Sequence, residues 1–368
     1  MKFEVLQSSF SKILGYSLKF VSSRAQLPIL ANFYIEASKN SILIQSTNLE
    51  ISFSSHLGAK VDQEGKITVP ARTLFDIISN LPNETIAISS EKEQLKIISQ
   101  GFQGSLAALD STDFPPVPSS LGKEGIKLPK DKFLEALSLT LFAVSQDETR
   151  PALTGVLFIF RQKEVVLVAT DGFRLSQKKF LLSGNRPERK FILPKGILTE
   201  LTRLSDLEEE AIDLEFNGAD NQVVFGIGST ILTSRIIGGE FPNFEKIIPS
   251  TTTSKILVDK EEMARAVKLA SVFARDSANI VKLKAAKGAL GINAESAKSG
   301  TEETKVEIKH EGEEVEVSYN YRFLEEFLNN AKGDEIEMNF SGSSSPGVFK
   351  DTDDKDFLHL IMPVKIQG

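Results

Sequence analysis

The 368-residue chain repeats one pattern three times, and that constrains its fold more than any single motif. A helical segment, a strand pair, a second helical segment and further strands recur in the same order, about a third of the chain apart. The first helix of each copy is a stripe of apolar residues at steps of three and four. In the first copy the stripe is Phe10, Ile13, Leu14, Leu18 and Val21. In the second it is Phe133, Leu137, Leu141 and Val144. In the third it is Met263, Val267, Ala270 and Phe273. The leading residues lie 123 and 130 positions apart. Asp259 with Glu262 three residues on predicts a capping box at the start of the third of these helices.

A second helix follows in each copy. Val69-Pro70 precedes Leu74, Ile77, Ile78 and Leu81, and Leu193-Pro194 precedes Leu198, Leu201 and Leu204. Asn320-Tyr321 precedes Leu324, Phe327, Leu328 and Ala331, without the proline that suits a helix start. Elsewhere the period is two. Ile42 and Ile44, Ile86 and Ile88, Ile212, Leu214 and Phe216, and Val306 and Ile308 read as strands with one buried face. Asn217-Gly218-Ala219-Asp220 reads as a hairpin turn. Thr47-Asn48, Thr170-Asp171 and Asn293-Ala294 are expected to follow strands, each 123 residues after the last.

Proline and small polar residues punctuate the copies at 114–120 and 249–254, where helices stop and no core can pack. The expectation is an α+β chain of three like domains, at 1–120, 126–249 and 255–368. Each would carry two helices on antiparallel sheets.

Composition narrows the chemistry. Without cysteine there is neither a disulfide nor a thiol site, in keeping with a reducing cytosol. Met1-Lys2-Phe3-Glu4-Val5 lacks the apolar stretch of a signal peptide, and no apolar run reaches membrane-spanning length. A net charge of −7 argues against one large basic face. His56, His310 and His359 share no metal-ligand spacing. There is no nucleophile elbow and no phosphate-binding loop. Gly226-Ile227-Gly228 lies among strands and reads as a bend or bulge. Asp351, Asp353, Asp354 and Asp356 lack the turn glycine and distal glutamate of a calcium loop, so a solvated loop is expected there. Ser341 to Gly347 has loop composition.

Three segments ask for more. Ala169-Thr170-Asp171-Gly172-Phe173-Arg174-Leu175 sets an aromatic and an arginine directly after a turn, residue types enriched where proteins bind one another. Gly239 to Pro249 is apolar yet broken by prolines. Leu360-Ile361-Met362-Pro363-Val364-Lys365-Ile366 is too apolar for a free terminus and is expected to dock, as a last core strand or in a surface groove.

These segments carry a resemblance. Met1-Lys2-Phe3, Arg24 before Leu27-Pro28-Ile29-Leu30, Val69-Pro70-Ala71-Arg72, the segment from Ala169 to Leu175, Phe241-Pro242-Asn243 and Met362-Pro363 recur here in the order and spacing of one family. Over essentially its whole length the chain resembles the bacterial sliding clamps, the β subunits of DNA polymerase III. The resemblance implies a head-to-tail homodimer whose six domains ring duplex DNA, helices inside and sheets outside. It implies a cytoplasmic, nucleoid-associated processivity factor without catalysis, cofactor, metal or membrane contact. The replicative polymerase, clamp loader and other replication and repair proteins would dock through short linear motifs.

It also carries over residues. DNA contacts match Arg24, Arg72, Gln146, Arg150 and Lys195, although Gln146 to Arg150 is one residue longer than the family spacing. A partner-peptide groove matches Leu153, Thr170, Gly172, Phe173, Arg174, Leu175, Pro242, Lys246, Ile247, Leu360, Met362, Pro363, Val364 and Lys365. Lys246 and Lys365 stand where arginine is common, keeping the charge and losing the planar fork. The dimer interface matches Leu106, Val272 and Phe273, for which core packing is the competing expectation.

A ring explains how an acidic chain can hold DNA. Lys12, Lys19, Arg24, Arg72, Lys132, Lys195, Arg203, Arg265, Lys268 and Arg275 lie on or beside the helices and can make a positive channel. Held by topology, a ring needs few phosphate contacts and no base reading. Two rivals stay open at this point: a nuclease or hydrolase using Asp171 and the Asp351–Asp356 run, and a protein that coats DNA nonspecifically.

Overall fold

A computed structural model describes residues 1–22, 27–122, 125–184, 187–204, 209–218 and 220–365. Arg24, Ala219 and Ile366 lie outside the described residues. Six helices fall where the two sets of stripes predict them: α1 Gln7–Ser17, α2 Ala71–Asn80, α3 Lys130–Leu141, α4 Lys195–Arg203, α5 Lys260–Ala274 and α6 Tyr321–Asn330. The stripes overrun the helices slightly. Leu18 begins a short 3-10 turn, while Val21, Val144 and Leu204 lie past their helix ends. Asp259 caps α5 by accepting the Glu262 amide at 2.8 Å. The proline missing before α6 is replaced by Asn320, whose side chain accepts the Arg322 amide at 3.0 Å.

Among the described residues all strand pairing is antiparallel, in sheets of five, eight and twelve strands. In the first repeat, the inward faces of Phe3 and Val5, Ile42 and Ile44, and Ile86 and Ile88 meet Phe10, Leu14, Leu74 and Ile78 of the helices in one core. The third repeat builds the same core from Met263, Val267, Leu324 and Phe327 against Ile256, Leu283, Ile292 and Ile336. In these two repeats stripes and alternating strands meet in one core, to which Leu139 of α3 also contributes in the third.

Compact units do not follow the repeats. One comprises Met1–Lys130 with Arg203–Ile236, the other Asp131–Thr202 with Ile237–Gly368. The middle repeat divides because its strands extend two different sheets. Its last strand, Thr230–Arg235, pairs with Ile51–Gly58 of the first repeat, setting Leu232 opposite Phe53. Its strand Arg174–Leu181 pairs with Asp354–Ile361, the last strand of the third repeat, setting Leu175 opposite Leu360.

Two sequence expectations fail here. The run from Asp351 to Asp356 is solvated only in part: Asp353 and Asp356 are exposed, while Asp351 and Asp354 are held inside the fold. Asp351 ends a strand, 3% exposed, and its Oδ2 accepts the amides of Lys332 and Gly333 at 2.7 and 3.0 Å. Asp354 starts the next strand and pairs with the buried Lys178 ammonium. These two carboxylates satisfy buried donors, and the run turns as a tight hairpin between the two strands. Asn293-Ala294 lies inside the strand Ala289–Ser296, where Thr47 and Thr170 end theirs. No helix is long and apolar enough to cross a membrane among the described residues.

Candidate functional site

The segment Thr170–Leu175 turns on its own side chains. Asp171 Oδ1 accepts the amides of Phe173 and Arg174 at 2.9 and 3.0 Å. Thr170 Oγ1 donates to the Arg174 carbonyl at 2.6 Å and accepts the Gly172 amide at 3.1 Å. Gly172 holds φ +93°, a left-handed conformation that a side chain would strain. The turn leaves Phe173 62% exposed.

Strand alternation then sends neighbouring residues to opposite faces. Leu175 joins Leu153, Leu157, Val168, Phe241, Phe244, Val348 and Leu360 in a buried apolar cluster. Arg174 points the other way and is 8% exposed. Its Nε donates to Asp171 Oδ2 at 3.1 Å and its Nη2 to the Phe142 carbonyl at 2.6 Å, while Nη1 meets the Glu326 carboxylate. Its guanidinium also lies 4.6 Å from the Phe323 ring centre. Arg174 therefore pins the turn to α3 and α6 from behind.

Pro242, Lys246, Ile247, Met362 and Lys365 are exposed, and Pro363 and Val364 are half-buried. The C-terminal strand ends at Ile361, after which the Met362 amide donates to the Phe173 carbonyl and the Val364 amide to the Ser318 carbonyl, both at 2.8 Å. The tail is both things the sequence allowed: a core strand up to Ile361 and surface beyond it. Phe173, Ile247 and Met362 are exposed apolar side chains, Leu153, Leu175 and Leu360 are buried in the cluster, and the cations Lys246 and Lys365 are exposed.

Beside the same turn is a second cleft of about 500 Å³. It brings Gln146, Arg150 and Lys195 together with Asp171, Phe173, Arg174 and Glu326. Arg150 is exposed. Its Nε donates to Asp147 Oδ2 at 2.8 Å and its Nη2 to the Asp171 carbonyl at 3.2 Å. Asp147 is held below the usual carboxylate range, first by the Thr149 hydroxyl and amide and then by Arg150.

Arg72 lies apart from this cleft, exposed in the first turn of α2 and 3.7 Å from Asp76. Lys195 opens α4, 123 residues later. Both are cations at helix N-termini, where the helix dipole disfavours them, and neither first turn has an acidic residue to offset it. The described residues that the sequence assigned to a basic channel are exposed, apart from half-buried Lys195.

Of the interface positions, Val272 is 55% exposed, while Leu106 and Phe273 are half-buried at the margins of their cores. Sequence reasoning missed Phe241 and Phe244 as members of the buried apolar cluster. Their three-residue spacing in a proline-broken segment was the available signal. It also missed Phe142, Phe323 and Glu326 behind Arg174, for which no local signal existed, and exposed Arg322, the first-turn cation of α6.

Behind the turn, His359 is fully buried between the rings of Phe142 and Phe327, with Nδ1 2.7 Å from Ser176 Oγ. Burial, and secondarily the Arg174 charge, push its pKa from 6.5 down to about 3. Below pH 6.5 the unfolded chain takes up a proton that the folded chain refuses. Stability from this group is therefore full above about pH 6.5 and declines toward pH 3, by at most about 1.4 kcal/mol per pH unit. The urea midpoint should fall less between pH 7 and pH 5 in His359→Gln than in the parent. Equal falls would assign the slope to other groups.

Comparison with known proteins follows the repeats. Residues 1–118 match the N-terminal domain of the DNA polymerase III beta subunit, 127–243 its central domain and 245–365 its C-terminal domain. The Staphylococcus aureus beta sliding clamp is 30% identical, with 99% of each chain covered. The sliding clamp structure from Bacillus subtilis superposes with a TM-score of 0.95 at 29% identity, and the beta subunit from Thermotoga maritima with 0.93 at 25%, each covering both chains completely.

Proposed function

The chain belongs to the DNA polymerase III beta subunit family, the bacterial sliding clamps, and from that premise we propose how its residues close a ring, hold DNA and receive partners. As a sliding clamp it is a non-catalytic processivity factor. It tethers the replicative polymerase to DNA and so raises its effective concentration at the primer end.

One observation carries the ring. Twice, the last strand of a repeat pairs with the repeat before it, Thr230–Arg235 on Ile51–Gly58 and Asp354–Ile361 on Arg174–Leu181. The last strand of the first repeat, Phe102–Ala107, is left at a sheet edge. In the third repeat residues 300–307 are bonded, among the described residues, only to Ala289–Ser296. Each chain thus offers one unfilled end of either kind. Joining them between two chains, head to tail, repeats the same seam, closes a ring and hides both edges. Leu106 then meets Val272 and Phe273 of the second copy. The domains are read as 1–120, 126–249 and 255–368.

In this reading Arg72, Gln146, Arg150 and Lys195, with Arg24, touch phosphates without reading sequence. The apolar rim and floor beside Phe173 take short peptide motifs of the polymerase, clamp loader and other replication and repair proteins, in the bacterial cytoplasm. The nuclease alternative finds little support, because both Asp171 oxygens already serve its own turn and Arg174.

Loading on nicked circular DNA followed by linearisation tests the function. The protein should remain on circles through high-salt washes and be lost once the DNA has ends. Retention on linear DNA would indicate a coating protein.

A further inference from the structure

Arg150 faces the DNA cleft and the partner groove at once. Its Nη2 donates to the Asp171 carbonyl at 3.2 Å, and it lies so close over Gly172 that a Cβ there would sit 3.1 Å from Nη1. One residue further on, the Phe173 carbonyl takes the amide of Met362 at 2.8 Å. A single short turn therefore has this arginine at one end and the groove-forming tail at the other.

We propose that Arg150 is a positioning residue of the partner groove, and that DNA competes for it. Drawn to a phosphate, Arg150 releases the Asp171 carbonyl, the turn beneath Phe173 and Met362 loosens, and peptide binding weakens. This rests on the reading of Arg150 as a DNA contact. The exchange is energetically easy. The pair between Arg150 and Asp147 is about half exposed on both sides, so little is lost when it opens. A phosphate offers the guanidinium the same two-pronged geometry as a carboxylate. The effect is graded, because Thr170, Asp171 and Arg174 still hold the turn by their own bonds. On DNA the groove would hold each partner less tightly, which suits a site that several partners share in turn.

The probe is a fluorescein-labelled hexapeptide bearing one leucine and one phenylalanine. Its Kd for the full-length protein is measured by anisotropy, with and without saturating short linear duplex. Duplex affinity is measured in parallel over a range of salt. For the parent, the peptide Kd should rise three- to tenfold when duplex is present. Arg150→Ala should show the raised Kd already without duplex, and no further change with it. Arg150→Lys keeps the charge and loses the fork, so it should recover duplex binding but not the tight peptide value. If Arg150→Ala binds duplex like the parent, the DNA reading of Arg150 fails and the proposal with it. If its duplex binding weakens while the parent's peptide Kd is the same with and without duplex, the DNA reading stands and the coupling is overturned.

Discussion

Val272→Glu should break the proposed head-to-tail dimer into single folded chains of 40.5 kDa. The reason lies in how the repeats treat one position. Counting from the leading stripe residues Phe10, Phe133 and Met263, the equivalents of Phe273 are Phe20 and Ala143. In those two repeats the seam to the next repeat is made within the chain, and the position is buried: Phe20 is 2% exposed, its ring 5.5 Å from that of Phe53 in a tilted pair, and Ala143 is 0% exposed. In the third repeat, among the described residues, no strand of the chain pairs along residues 300–307 on that side. Phe273 is half-buried, with Val272 at 55% and Leu269 at 50% exposure on the same helix. A second copy would complete the burial. A glutamate at Val272 costs the isolated chain little, since it is solvated there. In the ring it would become an unpaired buried charge, at about 3–5 kcal/mol per contact or several hundredfold and more in affinity. Val272 is the cleaner choice than Phe273, which also packs on its own core. Sedimentation equilibrium reads the mass, and circular dichroism confirms the fold. A folded variant that keeps the parent's mass would remove Val272 from the interface. Loss of retention on circular DNA should accompany the change in mass.

The helices were legible because their buried faces follow local spacing, so that Phe10, Phe133 and Met263 announce themselves. The seams between repeats were not. Leu232 opposite Phe53 and Leu175 opposite Leu360 are pairs 179 and 185 residues apart, and nothing in either strand names its partner. The aspartate run misled for a related reason. Solvated carboxylates and carboxylates that cap amides or pair a buried lysine have the same composition, and only the fold shows Lys178 beside Asp354. Arg174 was found by its place after a turn, but its burial against Phe142, Phe323 and Glu326 depends on two distant segments.

The repeat also explains why one chain would carry one peptide groove and not two. The first repeat has a counterpart cleft of about 520 Å³ lined by Thr47, Leu49, Ile51, Ser52, Thr233 and Arg235, with Pro115 to Pro118 along its side. Ser52 stands opposite Thr233 there, in the register that sets Leu175 opposite Leu360 in the groove. Two leucines of the floor are thus replaced by hydroxyls. The backbone is copied, and the apolar area that would anchor a leucine or an aromatic ring is not.

Deleting Met362 to Gly368 should abolish peptide binding and leave the ring whole. The cut falls just past Ile361, fully buried at the end of the last core strand, so the strand and its pairing with Arg174–Leu181 survive. What goes is the docked tail: the amide of Met362 on the Phe173 carbonyl, that of Val364 on the Ser318 carbonyl, the exposed Met362 side chain and the Lys365 charge. The groove would lose one apolar wall, and Phe173 the bond that fixes its carbonyl. An anchor pocket open on one side leaves its leucine or aromatic ring partly in water. At about 1.5–3 kcal/mol for each large apolar side chain buried, the loss should reach a hundredfold or more in Kd. Phe102–Ala107 and residues 300–307, which would join the two chains, are untouched. Titration calorimetry with the hexapeptide reads the first effect. Sedimentation mass and retention on nicked circles read the second. A dimeric, DNA-retained variant that no longer extends polymerase runs is the expected outcome. Unchanged peptide affinity in the truncated ring would move the partner site away from the tail, and with it the assignment of Met362, Pro363, Val364 and Lys365.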